Sequence, residues 1–117
     1  MSDLSALLRL LSVNRLFISN QREINAALMN TYLGVAIWCQ ETQFREPLSL
    51  SELAQRLDLK PTTVSRHLRY LGPGIRKGAP GMGLLELYTS PDDGRRKMVK
   101  LTLEGEALLA RVLLTAS

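Results

Sequence analysis

The sequence predicts a mainly α-helical domain carrying one small β-hairpin, and three observations predict it. Residues 49–71, SLSELAQRLDLKPTTVSRHLRYL, read as a helix, a tight turn and a second helix. Residues 84–102, LLELYTSPDDGRRKMVKLT, read as two strands around a polar turn. Leucines recur at helical spacing near both ends of the chain. At 117 residues this is one domain, large enough for a single hydrophobic core.

Each element has a local cause. Leu4, Leu7, Leu8 and Leu11 set a first helix from about 3 to 18, with Asp3 early and Arg9 and Arg15 later, as the helix dipole prefers. A second helix runs from about 21 or 25 to 42, its start capped by Asn20 with Glu23 or by Asn25 alone. Leu28, Tyr32, Val35, Ile37 and Trp38 leave that helix little polar surface, so it is expected at the centre of the core. Glu46-Pro47 marks the connector. Ser49 and Glu52 form an S-x-x-E capping box for the third helix, in which Leu53, Ala54 and Leu57 face inward. Asp58-Leu59-Lys60 is the turn.

Pro61 opens the fourth helix, 61 to 71, at the position where proline is best tolerated. Val64, Leu68 and Leu71 fall within about 60° of one another around its axis and should be buried. Thr62, Arg66 and Arg69 lie opposite, flanked by Thr63, Ser65 and Tyr70. Residues 72–83, GPGIRKGAPGMG, hold five glycines and two prolines and are expected to form a loop. Leu84–Thr89 and Lys97–Leu101 then pair as strands, with Asp93-Gly94 as a hairpin-turn signal. Thr102 caps a last helix, about 103–115, which carries Glu104 and Glu106 in its first turn and an apolar stripe of Ala107, Leu108, Val112 and Leu113.

Charge is distributed unevenly over these elements. Residues 60–100 hold nine of the fifteen Lys and Arg but three of the eleven acids, a local surplus of six positive charges. No acid lies between Lys60 and Lys77. A helix-turn-helix followed by a basic β-wing is the layout of a winged helix-turn-helix domain, and this charge placement points to double-stranded DNA as partner. The major groove accepts one α-helix, and bidentate arginine–guanine contact is its commonest specific pairing. Arg66 is the first candidate for that role, with Arg69 sharing it or meeting phosphate, and Thr62 and Thr63 suit phosphate oxygens or a thymine methyl. Lys60, Arg76, Lys77, Arg96, Lys97 and Lys100 are placed as DNA-backbone contacts, which supply affinity and register.

With these segments placed, the chain resembles the MarR family of winged helix-turn-helix transcriptional regulators. The resemblance rests on LSLSELAQRLDLKPTTVSRHLRYL, on GLLELY and on DGRRKMVKLTLEGEALL, together some 40% of the chain. It implies base-reading roles for Thr62, Thr63, Ser65 and Arg66. It also implies a wing-tip arginine, Arg95, entering the minor groove and an aspartate, Asp93, orienting it. The sequence departs from the family pattern at Asp58, where glycine is usual, at Lys60, where a serine or threonine cap is usual, and at Asp92, where a second wing arginine is common. The loop at 73–82 looks like an insertion, and the C-terminal region is short.

The Leu4, Leu7, Leu8 and Leu11 stripe and the Leu108 and Val112 stripe lie outside the reading elements and are the expected dimerisation surfaces; two subunits could then read half-sites about 34 Å apart. The alternative is that both stripes pack on the second helix. Cys39 stands in the most apolar helix with no basic residue within five positions, so core packing is favoured over redox sensing. His67 is read as packing or as a phosphate contact. Met29, Tyr32 and Trp38 are equally explained by core packing and by a pocket, so no small-molecule effector is supported.

No Gly-rich phosphate loop, Ser/His/Asp set or metal-ligand cluster appears, so neither catalysis, nor a metal, nor a cofactor is expected. The single cysteine and the lack of a basic, cleavable leader fit a cytoplasmic, nucleoid-associated protein. The longest apolar stretch, Ala26 to Cys39, falls short of a membrane span of about 20 residues. The expected function is a sequence-specific DNA-binding transcriptional regulator, a dimeric repressor. Two other readings stay open: a winged helix used for protein–protein contact, and a phage or plasmid DNA-binding factor for replication or partition.

Overall fold

Polar caps set most of the element boundaries. The computed structural model describes residues 2–18, 24–43, 46–76 and 79–117. Helix α1 spans Ser2–Ile18 and α2 spans Ala26–Trp38. Asn25 caps α2 by accepting the Leu28 amide at 2.9 Å; the other expected cap, Asn20 with Glu23, lies outside the described residues. Helix α2 ends four residues before the expected 42. Its last carbonyls are taken from outside the helix: Gln40 Nε2 donates to the Val35 carbonyl, and the Leu48 amide donates to that of Trp38 at 2.9 Å. The connector is thereby folded back along the end of the helix.

Helix α3 (Leu50–Leu57) starts at the full capping box, Ser49 accepting the Glu52 amide and Glu52 accepting the Ser49 amide. Asp58 ends it in the left-handed region, φ 57°, a conformation in which glycine is free and aspartate is tolerated. Helix α4 (Pro61–Leu71) begins at Lys60, which makes no side-chain cap bond. Val64, Leu68 and Leu71 are completely buried, as their spacing predicts.

The glycine-rich segment holds two short strands, β1 (Gly74–Arg76) and β2 (Ala79–Pro80), paired antiparallel with an irregular register. Both strands of so small a sheet are edges, which is where proline is admitted. The chain then returns across the end of α4. The amides of Met82, Gly83 and Leu84 donate to the carbonyls of Tyr70, Gly72 and Leu71 at 2.9–3.0 Å, satisfying groups the helix terminus leaves unpaired. The return passes so close that a Cβ on Gly81 would lie 2.3 Å from the Gly72 carbonyl oxygen.

Strands β3 (Leu85–Thr89) and β4 (Lys97–Leu101) form the wing, in register from Leu85↔Leu101 to Thr89↔Lys97. Their connection is longer than a tight Asp-Gly turn. It closes where the Ser90 amide donates to the Arg96 carbonyl and the Arg96 amide donates to the Asp93 carbonyl. Gly94 adopts no left-handed conformation there. Helix α5 (Leu103–Ala116) starts at Thr102, whose hydroxyl oxygen accepts the Gly105 amide at 3.1 Å.

The core gathers Phe17, Leu28, Tyr32, Val35, Leu53, Val64, Leu68, Val99, Leu101, Leu108 and Val112 around α2. Phe17 and Tyr32 meet edge to face, and the Tyr32 hydroxyl donates to the Gly105 carbonyl at 2.7 Å. Burial holds that phenol far above its ordinary pKa. Ile37, expected in the core, is exposed, because α2 turns it away from the side covered by α3 and α4. Leu57 and Trp38 are half-buried at the core margin.

Candidate nucleic-acid interface

The interface is built on the face of α4 that its apolar stripe leaves outward. Thr62, Arg66 and Arg69 are exposed, and Thr63 and Ser65 are half-buried at the edges of that face. Lys60 is exposed at the helix start. With Pro61 lacking an N–H and no side chain capping the helix, the first-turn amides remain available to an anion.

The wing supplies the flank. Arg95 and Lys97 are exposed, and the Asp93 carboxylate accepts the Arg95 amide at 3.0 Å. Asp93 therefore fixes the backbone from which Arg95 projects. Between the wing and the start of α3 lies a cleft of about 300 Å³ lined by Ser49, Ser51, Asp93, Arg95, Arg96 and Lys97. A larger groove, about 880 Å³, shares Asp93 and Arg96 with that cleft but extends along Tyr88, Met98, the end of α2 and Glu106, and includes none of the α4 candidates.

Two expected backbone contacts are committed elsewhere. Arg96 pairs with Glu52 of α3, hydrogen-bonded through its guanidinium. The Glu52 carboxyl is held below its ordinary range, first by the Ser49 amide and then by Arg96. Arg96 thus ties the wing to the helix-turn-helix instead of projecting as a free cation. Lys100 stands three residues from Lys97, an odd offset that places it on the opposite face of a strand. Its ammonium lies 5.2 Å from the Tyr88 ring centroid, beside the larger groove. Arg76 belongs to β1, and Lys77 lies outside the described residues.

The expected dimerisation residues separate into two sets. Leu4, Leu7, Leu8 and Leu11 are 45–69% exposed on α1. Leu108 and Val112 are buried, because they are the residues through which α5 joins the chain's own core. The apolar residues α5 leaves outward are Leu103, Leu113 and Leu114. Cys39 is buried, and Met29 and Tyr32 belong to the core or its margin. His67 binds Thr31 of α2, Nδ1 to Oγ1 at 2.9 Å. Sequence reasoning missed Thr31, the Glu52–Arg96 link and the serines of the cleft. Glu52 carried the one usable signal, an acid in a helix start facing a basic hairpin.

Comparison with known proteins agrees with this architecture. Residues 39–71 match the model of a helix-turn-helix domain family. An uncharacterized HTH-type transcriptional regulator of Bacillus subtilis (strain 168), YhbI, is 42% identical over 62 residues, which span 53% of this chain and 35% of that protein. The S. aureus MepR protein, in a crystal structure of its DNA complex, superposes with a TM-score of 0.64 at 21% identity, covering 92% of this chain and 72% of that one. A crystal structure of a MarR family transcription regulator superposes at 0.61, with 21% identity, 92% of this chain and 62% of that one.

Proposed function

We propose that this chain, which has the winged helix-turn-helix fold of the MarR family regulators, is a sequence-specific double-stranded DNA-binding transcriptional regulator that acts as a homodimeric repressor. The observation that carries the reading is the outward face of α4, where Thr62, Arg66 and Arg69 are exposed directly opposite a completely buried apolar stripe. Helix α4 enters the major groove, with Arg66 on a base edge and Thr62, Thr63, Ser65 and Arg69 beside it. Arg95 follows the adjacent minor groove, and Lys60 and Lys97 meet phosphates. The B. subtilis relative named as a transcriptional regulator and the DNA complex of the S. aureus neighbour support the same partner.

Dimerisation is supported by the exposed leucines of α1 together with Leu113 and Leu114 of α5, on two helices that pack against each other. A repressor of this kind acts by occupying a promoter site in the cytoplasm. The test is selection of bound duplexes from a random library. Enrichment of a two-fold symmetric motif supports a dimeric sequence reader. Absence of any enriched motif, with weak and salt-insensitive binding, overturns the reading and favours the protein-contact alternative.

A further inference from the structure

Helix α4 is held against the core by a narrow seam. Val64, Leu68 and Leu71 occupy about 60° of its circumference, with Tyr70 packed at the core margin; its N-terminus has no side-chain cap, and backbone bonds strap its C-terminus. A seam this narrow resists lifting better than it resists rolling. A polar bond lies beside it: His67, about 100° around the axis from both Arg66 and Leu68, meets the completely buried Thr31 of α2 across 2.9 Å.

The Thr31 hydroxyl lies within hydrogen-bond distance of two groups, the Ala27 carbonyl at 3.2 Å and His67 Nδ1 at 2.9 Å, and the imidazole tautomer sets which partner donates in the shorter bond. Burial, and secondarily the Arg66 charge, hold the imidazole below its ordinary pKa, which keeps the ring neutral near pH 7.

We propose that the Thr31–His67 hydrogen bond is a rotational lock on the recognition helix, making His67 a positioning residue for the base-facing side chain Arg66. The inference rests on the DNA-reading function proposed above. Phosphate contacts made by long, exposed lysines tolerate a small roll of the helix. A bidentate arginine–base contact does not, because its two hydrogen bonds share one plane. The lock therefore bears on selectivity more than on overall affinity.

The test measures binding to the selected duplex and to a random-sequence duplex, each at several salt concentrations. Thr31→Val and His67→Leu remove the bond, whereas Thr31→Ser and His67→Asn retain a hydroxyl and a polar group near the Nδ1 position. The expected result is that Thr31→Val and His67→Leu each lower the selected-to-random affinity ratio by roughly tenfold, the loss that accompanies a misplaced bidentate contact. Random-duplex affinity and salt slope should stay at the wild-type values, the double variant should be no worse than either single one, and the two conservative variants should keep the wild-type ratio. An unchanged ratio in Thr31→Val and His67→Leu overturns the lock, as does an equal fall on both duplexes. A wild-type protein that itself shows no selectivity overturns the DNA-reading function, and the lock falls with it.

Discussion

Raising salt from about 50 to 200 mM should weaken duplex binding by about 150-fold per protomer. The figure follows from which cations the structure leaves free. Lys60, Arg66, Arg69, Arg95 and Lys97 are exposed on the reading side, whereas Arg96 is paired with Glu52 and Lys100 lies over Tyr88 on the other face of the wing. Among the described residues, with Arg66 assigned to a base, Lys60, Arg69, Arg95 and Lys97 are counted toward phosphates. Counterion release gives a log–log slope of about −0.9 per neutralised phosphate, hence about −3.6 in all, and a fourfold rise in salt multiplies to about 150. The same bookkeeping separates individual residues. Lys97→Ala should make the slope shallower by about 0.9, while Arg96→Ala should leave it unchanged, because that charge is already satisfied within the protein. Fluorescence anisotropy on a labelled duplex, titrated across the salt range, reads both quantities. A slope shallower than about −1, or an equal effect of Arg96→Ala and Lys97→Ala, would refute the assignment of free and committed cations.

Other perturbations probe the remaining links. Arg66→Ala should cost about 1–3 kcal/mol on the selected duplex and far less on random sequence, measured by competition binding. Gly105→Ala should destabilise the fold by about 3 kcal/mol or more in urea unfolding, because its Cβ would sit 2.0 Å from the Leu84 carbonyl oxygen, which is backbone and cannot swing aside. Thr102→Val should cost about 2 kcal/mol in the same assay, combining the lost helix cap with the lost hydrogen bond from the Thr102 hydroxyl to the Gly83 carbonyl. His67 is held below its ordinary pKa of 6.5, so the unfolded chain takes up its proton first; stability from this group is full above about pH 6.5 and declines as pH falls through the folded-state value, a component that His67→Asn should abolish.

Most of the helix-turn-helix was legible because its causes are local. Ser49 and Glu52, Pro61 and Thr102 each set a boundary through a bond or a steric fit within about one helical turn, and the α4 stripe dictated by elimination which side chains face outward. Features with distant causes were not legible. Helix α2 ends early because Leu48, ten residues on, occupies the Trp38 carbonyl. The glycine-rich segment gains strands because it is strapped to the end of α4, and composition does not reveal that strap. Arg96 looked like any other cation of the wing, since its partner is 44 residues away in sequence. Leu108 and Val112 show a further limit: periodicity identifies an apolar face but not what covers it, and the chain's own core covers this one.

The polar links that escaped sequence reasoning also explain how so small a domain can present a fixed surface. Apolar burial holds α4 and the wing in place, but the hydrophobic term is non-directional and polar links add orientation to it. Thr31–His67 fixes α4 against α2, Glu52–Arg96 fixes the wing against α3, and Thr102 joins the start of α5 to Gly83, just past the strap on α4. Each link joins elements distant in sequence, and the first two are part-buried, where a hydrogen bond is directional and partly shielded from water. Ordering supplied in the free protein need not be supplied on binding, so on the proposed function Arg66 and Arg95 would meet a duplex with less conformational entropy left to lose. The same logic accounts for Arg96 being withdrawn from the phosphate patch. On the proposed function a cation there would strengthen binding to every sequence alike, whereas a cation bound to Glu52 holds the wing against α3 of the helix-turn-helix.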